Sequence, residues 1–201
     1  MMRIGLVTEH HEHDGKAFKA LLQKRFPSQE VLFLPSVKRP GGMGSGLDAV
    51  GKIKKIVGQD IKYHRLDWVI YIRDLDGFVS DTAQIKRRQV WFDEIDRHNN
   101  PRGLPYLAVY DAECLALSDL EGLKKWSKIN SKGTATSNPM QLTGKEALKK
   151  MVVGRQYQEG DMPEVFAHLD IDRIAKRHKG EYSFAEFIEN LDKKLNLTHA
   201  D

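Results

Sequence analysis

Two carboxylates close a hydrophobic run in the first half of this chain. Residues 67–77 read Asp-Trp-Val-Ile-Tyr-Ile-Arg-Asp-Leu-Asp-Gly, so Asp74 and Asp76 come directly after a stretch of mostly apolar residues. A similar run near residue 1, at positions 2–8, leads into Glu9. A carboxylate is costly inside a buried strand but is tolerated where the strand emerges from the core. We therefore expect these three acids to lie at strand ends, where they are available for chemistry.

The two runs are largely continuous rather than alternating, which is typical of strands buried on both faces of a parallel sheet. If the two strands are neighbours, Glu9, Asp74 and Asp76 meet at the carboxyl edge of the sheet, where open α/β folds bind their ligands. Three acids at one edge repel each other unless a hard cation such as Mg²⁺ neutralises them. The alternative, a polar Asp-x-Asp-Gly turn, explains the aspartates but leaves Glu9 without a role.

The elements that must position these acids alternate along the chain. After the first strand, the spacing of apolar residues predicts a helix over 14–26, a strand over 31–34, a helix over 47–57, a strand over 68–74, a helix over 81–98 and a strand over 104–110. This order favours right-handed crossovers between parallel strands. The predicted fold class is therefore α/β, with a mainly parallel four-stranded sheet flanked by helices.

Strand signals vanish beyond Asp111, and helix starts replace them. Patterns of the S/T-x-x-E type begin at Ser118, Thr143 and Ser183, as expected of helix N-termini. We predict an α/β core over residues 1–117 and a helical C-terminal extension over residues 118–201 that packs on this core.

Composition narrows the class of protein. The single cysteine, Cys114, excludes an intrachain disulfide and a cysteine-rich zinc site. No apolar run is long enough to span a bilayer, and the stretch before Glu9 is too short for a signal peptide, so we expect a cytoplasmic protein without a membrane partner. The net charge of +4 is compatible with nucleic acid as a partner. The cluster Lys86-Arg87-Arg88 follows the acidic pair and could offset the charge of a bound polyanion.

Two other stretches invite chemical interpretations. Residues 41–46 are rich in glycine but match neither the phosphate-binding loop nor the dinucleotide-binding pattern, and we interpret them as a surface loop. Residues 9–14 read Glu-His-His-Glu-His-Asp and are interpreted as a polar turn, since adjacent residues cannot all face one ion. His11 or His13 of this turn could stand beside Glu9 as a proton shuttle.

The arrangement of acids resembles the Toprim domain of topoisomerases, primases and nucleases of the overcoming-lysogenization-defect class. The matching residues are Glu9, in Gly-Leu-Val-Thr-Glu, and Asp74 and Asp76, in Tyr-Ile-Arg-Asp-Leu-Asp. The chain is also similar to small stand-alone Toprim-like proteins of bacterial genomes, some of which occur in phage-defence gene sets. Their recurring block of an apolar strand and an acidic helix looks like residues 104–118, which adds Glu113.

This resemblance implies a metal-dependent nuclease. Glu9, Asp74 and Asp76 would be the catalytic acids, and these three together with Glu113 would bind Mg²⁺ or Mn²⁺. The phosphate of the nucleic acid would be held by Lys86, Arg87 or Arg88. The chain has no Walker motif, so any ATP dependence would come from a partner ATPase. One departure is His10, since the family usually has glycine directly after the first-strand glutamate.

Two other functions remain open at this stage. The chain could be a non-catalytic Toprim-like subunit that binds nucleic acid or another protein. It could also be a receiver-like or flavodoxin-like domain, although the switch Thr/Ser and Lys of receivers are not evident. The sequence decides neither between DNA and RNA nor whether the chain forms a homo-oligomer.

Overall fold

The computed structural model of the protein describes residues 1–34, 50–99, 103–130, 132 and 137–197. The glycine-rich stretch 41–46, interpreted above as a surface loop, lies outside these residues. Within them, no helix is both long and apolar enough to cross a bilayer.

Four strands form a parallel sheet in the order β2-β1-β3-β4. The strands are β1 (Arg3–Thr8), β2 (Glu30–Phe33), β3 (Trp68–Asp74) and β4 (Gly103–Ala108). In the register of the central pair, Thr8 of β1 lies beside Ile72 of β3. The prediction of an α/β fold with a four-stranded parallel sheet is therefore confirmed.

Helices connect the strands and then continue to the C-terminal part of the chain. The connecting helices are α1 (Lys16–Arg25), α2 (Val50–His64) and α3 (Thr82–His98). A single π-helical turn, His11–Gly15, precedes α1. After β4 come α4 (Cys114–Ser118), α5 (Leu120–Trp126), α6 (Gly144–Met151), α7 (Met162–His168), α8 (Ile171–Arg177) and α9 (Phe184–Leu197). Two short 3₁₀ turns, Pro139–Gln141 and Glu159–Asp161, lie between them.

The sheet is buried on both faces because successive side chains of a strand point to opposite sides. In β3, Ile70 and Ile72 belong to the core that contains α1, whereas Val69 and Tyr71 belong to the core beneath α2 and α3. The runs of apolar residues in the sequence reflect this two-sided burial. Within such strands, a charged side chain can be accommodated only with a partner or near the strand end.

The C-terminal helices cover the same face of the sheet as α1. Phe166 of α7 packs edge-to-face on Phe18 of α1, with ring centroids 5.5 Å apart. Phe187 of α9 lies against Tyr106 of β4 at 4.8 Å. Buried residues of α4 to α9 thus form one hydrophobic cluster with those of β1, β3, β4 and α1.

Candidate active site

The fold creates a crevice between the carboxyl ends of β1 and β3. From β1 the chain passes through α1 to β2 on one side, and β3 lies on the other side of β1. Because the connections leave these two strands toward opposite faces of the sheet, their ends mark the switch point at which open α/β sheets bind ligands. Glu9 follows the last residue of β1, and Asp74 is the last residue of β3. The sheet order therefore places these two acids at this position.

A cleft of about 410 Å³ opens at this edge of the sheet. It is lined by seven carboxylates, Glu9, Asp14, Asp74, Asp76, Asp111, Glu113 and Glu159, together with His10, His13, Tyr110, Lys145 and Met162. The four acids singled out from the sequence thus line one cleft. Of the three further acids, Asp14 belongs to the stretch interpreted above as a polar turn, and Asp111 and Glu159 were not recognised in the sequence.

Two of the predicted acids, Glu9 and Asp76, form hydrogen-bonded ion pairs with arginine side chains. Arg73 Nε donates a hydrogen bond to Glu9 Oε1 over 2.7 Å, and Arg88 Nη2 donates one to Asp76 Oδ2. Arg88 Nη1 also lies 4.0 Å from Glu9 Oε1. The sequence suggested that only a cation could relieve the repulsion between these acids, whereas the protein supplies its own positive charges.

The predicted phosphate-binding cluster on α3 is divided by the structure. Arg88 points inward and is buried beneath the acids. Lys86 and Arg87 are exposed on the same helix and are not among the residues that line the cleft. The helical repeat explains the division, since consecutive residues of a helix face different directions.

Asp74 lies among acids rather than among arginines. Burial and the charges of neighbouring acids raise its pKa well above the ordinary value, and those acids are Asp14, Glu9, Glu113 and Asp111 in order of effect. Burial and Glu9 also raise the pKa of Asp76, in spite of the opposing charges of Arg88 and Arg73. The clustered carboxylates therefore favour the binding of a proton or a cation, because either one reduces their mutual repulsion.

Glu113 is buried just before α4 and accepts a hydrogen bond from the Tyr157 hydroxyl at 3.1 Å. Burial, with the nearby charge of Asp111, raises its pKa to about 7. A carboxyl group with this pKa exchanges its proton close to neutral pH, which suits a general acid or base. The structure therefore gives Glu113 a chemical property that its position in the sequence did not reveal.

Asp111 joins the end of the sheet to the C-terminal helices. Its carboxylate accepts hydrogen bonds from the backbone N–H of Lys145 at 3.1 Å and from the Cys114 thiol at 3.4 Å. The approach is so close that a Cβ at Gly144 would lie 2.3 Å from Asp111 Oδ1. The signal in the sequence was available, because Asp111 follows β4 closely, as Asp76 follows β3.

The C-terminal helices and the π-helical turn build the remaining walls of the cleft. Lys145, at the start of α6, forms an ion pair with Glu159 across the cleft wall. In the π-helical turn beside them, Asp14 Oδ2 accepts a hydrogen bond from the backbone N–H of His10, and the His10 and His13 rings meet edge-to-face at 4.1 Å. Both imidazoles line the cleft; of the two histidines considered as neighbours of Glu9, His13 is one of them, and the His11 side chain is outside the described residues.

Two residues at the cleft have left-handed backbone conformations, which residues other than glycine seldom adopt. These are Asp76, with φ of 54°, and Tyr110, with φ of 62°. The backbone N–H of Asp76 donates to Tyr110 O at 3.0 Å, and that of Tyr110 donates to Gly77 O at 2.8 Å. These bonds fasten the loops after β3 and β4 to each other. Strain held in place in this way is typical of functional sites.

The chemistry of the lining suits a hard divalent cation, because carboxylate oxygens are the ligands that Mg²⁺ and Mn²⁺ prefer. The geometry is not preformed for such an ion, since no group of three or more Asp, Glu, His or Cys in the described part of the chain is placed to hold one. Coordination by these acids would therefore require some of the side chains to move.

Residues 13–192 match a protein family described as a domain of unknown function, DUF4276. The chain belongs to the DUF4276 family. No curated protein and no solved structure matches it. The DUF4276 match contains all cleft-lining residues except Glu9 and His10, which precede it.

Proposed function

We propose that this DUF4276 protein is a metal-dependent phosphodiesterase that cleaves nucleic acid, with Mg²⁺ or Mn²⁺ as its cofactor. The observation that carries the proposal is the convergence of Glu9, Asp74, Asp76 and Glu113 in one cleft at the switch point of the sheet. Acids of such number and closeness are unfavourable for stability alone, because their charges repel one another. A bound cation would relieve this repulsion, so the same acids that destabilise the fold would favour cation binding.

A cation held by these carboxylates would polarise the phosphate and lower the pKa of water. The chain's own residues would do the rest. Where Glu113 does not itself ligate the cation, its pKa of about 7 lets it hold or release a proton at the reacting group. Lys145, the only Lys or Arg among the cleft-lining residues described, can exchange Glu159 for a substrate phosphate.

The proposed substrate, cellular location and partner rest mainly on the resemblance to Toprim proteins. Nucleic acid as the substrate agrees with the net charge of +4 and with the exposed Lys86 and Arg87 on α3. We extend the proposal to a bacterial cytoplasmic protein that acts in phage defence beside a separate ATPase. Co-purification of an ATPase with the tagged protein would support this extension, and its absence would count against it.

A second candidate function is a non-catalytic subunit that binds nucleic acid or protein. The specific observation in its favour is that Arg73 and Arg88 already hold Glu9 and Asp76. Among the described residues, no three Asp, Glu, His or Cys side chains are placed to hold a metal ion, which also agrees with a protein that does not catalyse a reaction.

Cleavage assays separate the two candidates. Purified protein is incubated with single- and double-stranded DNA and RNA, with Mg²⁺, Mn²⁺ or EDTA. We expect cation-dependent cleavage that Glu9→Gln and Asp74→Asn each reduce by about 100-fold or more, as for loss of a charged group that acts in the transition state. Glu12→Gln is the matched control, because Glu12 is exposed on the nearby π-helical turn, pairs with Lys16 and does not line the cleft. Cleavage that survives in both cleft variants would exclude this active site.

A further inference from the structure

One of the two arginines that pair with the acids is built into the core of the sheet. Arg73 is only 3% exposed, and its guanidinium lies over the Trp91 ring, 4.6 Å from the ring centroid. Its Nε donates the 2.7 Å hydrogen bond to Glu9. A charged group buried in a strand is costly unless it is paired, so the position of Arg73 is tied to the charge of Glu9.

A second arginine reaches the same acids from α3. The Arg88 side chain is 9% exposed, forms the ion pair with Asp76 and approaches Glu9 to 4.0 Å. Two guanidinium groups therefore face two carboxylates, and the charges of this group of four sum to zero. Within the group, neither acid needs a metal ion for charge balance.

The acids of the cleft thus differ in their electrostatic surroundings. Glu9 and Asp76 each have an arginine partner, whereas Asp74 lies near Asp14, Glu9, Glu113 and Asp111. A divalent cation attracted by the acids around Asp74 that also uses Glu9 or Asp76 as a ligand meets the positive charge of the arginine paired with that carboxylate. Cation and arginine therefore compete for the negative charge of the same two carboxylates.

We propose that Arg73 and Arg88 are internal counter-ions that hold down the cation affinity of the cleft by occupying Glu9 and Asp76. This inference rests on the proposed metal-dependent function and adds a tuning mechanism to it. The two arginines are positioning residues, since they act on the cation through the acids. Their effect on binding is opposite in sign to that of an ordinary supporting residue, whose removal weakens binding.

The test measures Mn²⁺ affinity in the absence of substrate, by the loss of the electron paramagnetic resonance signal of unbound Mn²⁺ during a titration. We expect Arg88→Met and Arg73→Met each to bind Mn²⁺ more tightly, by about tenfold, because an opposing charge near the acids is gone. Arg88→Lys keeps the charge and is expected to stay close to the wild type. Lys86→Met removes an equal charge from the exposed face of α3 and is expected to change the affinity little.

Folding of each variant is checked by circular dichroism and thermal melting. Arg88 lies on a helix rather than within the sheet, so its variants preserve the test if Arg73→Met does not fold. Unchanged or weaker Mn²⁺ binding by a folded Arg88→Met, with normal binding by the wild type, would overturn the counter-ion role alone. No Mn²⁺ binding by the wild type or by any variant would overturn both this role and the metal-dependent function.

Discussion

At the scale of single residues, the burial that gives Glu113 a pKa near neutral also makes its ionised form destabilising. Its carboxyl group is buried between the end of the sheet and the Tyr157 hydroxyl, and burial raises its pKa to about 7 from an ordinary value of 4.5. The folded protein thus binds the proton more tightly than the unfolded chain does. Stability from this group is fully present below about pH 4.5 and is lost as the pH rises through 7.

Replacement of Glu113 by glutamine should therefore stabilise the protein in alkaline solution. Glutamine keeps an oxygen that can accept the Tyr157 hydrogen bond, but it carries no charge to be buried. We expect Glu113→Gln to raise the free energy of unfolding by about 2–3 kcal/mol at pH 8, and by little at pH 4.

Urea titrations at both pH values measure this difference, and Glu121→Gln, an exposed position, is the control. An equal effect of Glu113→Gln at pH 4 and pH 8 would contradict the assigned pKa. Loss of cleavage in the stabilised variant would show that the carboxyl group is kept for function.

At the scale of elements, Asp119 joins α5 to α8. Its fully buried carboxylate accepts hydrogen bonds from Gly122 N of α5 at 3.0 Å and from Asp170 N before α8 at 2.8 Å. Arg173 of α8 donates two more, at 2.7 and 3.0 Å. Burial alone would raise the pKa of Asp119, but these four bonds lower it overall.

Removal of this carboxylate should separate α5 from α8. We expect Asp119→Ala to lower the free energy of unfolding by about 3–5 kcal/mol, because Arg173 and two backbone N–H groups lose their partner. The loss is measured by urea denaturation at neutral pH. Arg25→Gln is the comparison, since it breaks only exposed pairs with Asp172 and Asp192 and should cost about 1 kcal/mol or less. Similar losses in the two variants would show that burial does not decide the strength of the Asp119 network.

At the scale of the whole molecule, the C-terminal helices are part of the site and of the core. Lys145, Glu159 and Met162 come from this region and line the cleft together with residues of the sheet. The buried side chains of α7 and α9 pack on α1 and β4 in a cluster shared with the sheet. A core and an extension that share one hydrophobic cluster should unfold together.

The fragment 1–117 should therefore not fold on its own. Without the later helices, apolar residues of α1 and β4 such as Phe18 and Tyr106 would be exposed to water, at roughly 1.5–3 kcal/mol for each large side chain. We expect the fragment to give no cooperative thermal transition, and the full chain to give a single one. Calorimetry of both proteins measures this, and a cooperative transition of 1–117 would show that the α/β core is independent.

The sequence by itself determined the strands, the parallel sheet and the acids at its edge. Apolar runs such as 68–72 mark two-sided burial whatever their partners are, and an acid after such a run must lie at its end. Helix caps were less well determined. Ser183 Oγ does accept from Glu186 N, but the side chain that caps α5 is Asp119 rather than Ser118. Neighbouring polar residues compete for the same position, and packing selects between them.

Only the tertiary structure decided how the charges of the site are balanced. That Arg73 points to Glu9, that Arg88 turns inward while Lys86 and Arg87 remain exposed, and that Asp111 meets α6 all depend on contacts between residues far apart in the chain. Strand and helix periods are local properties, so they can be read along the chain. Electrostatic balance depends on distances across the fold, and these become fixed only when the sheet and its helices have packed.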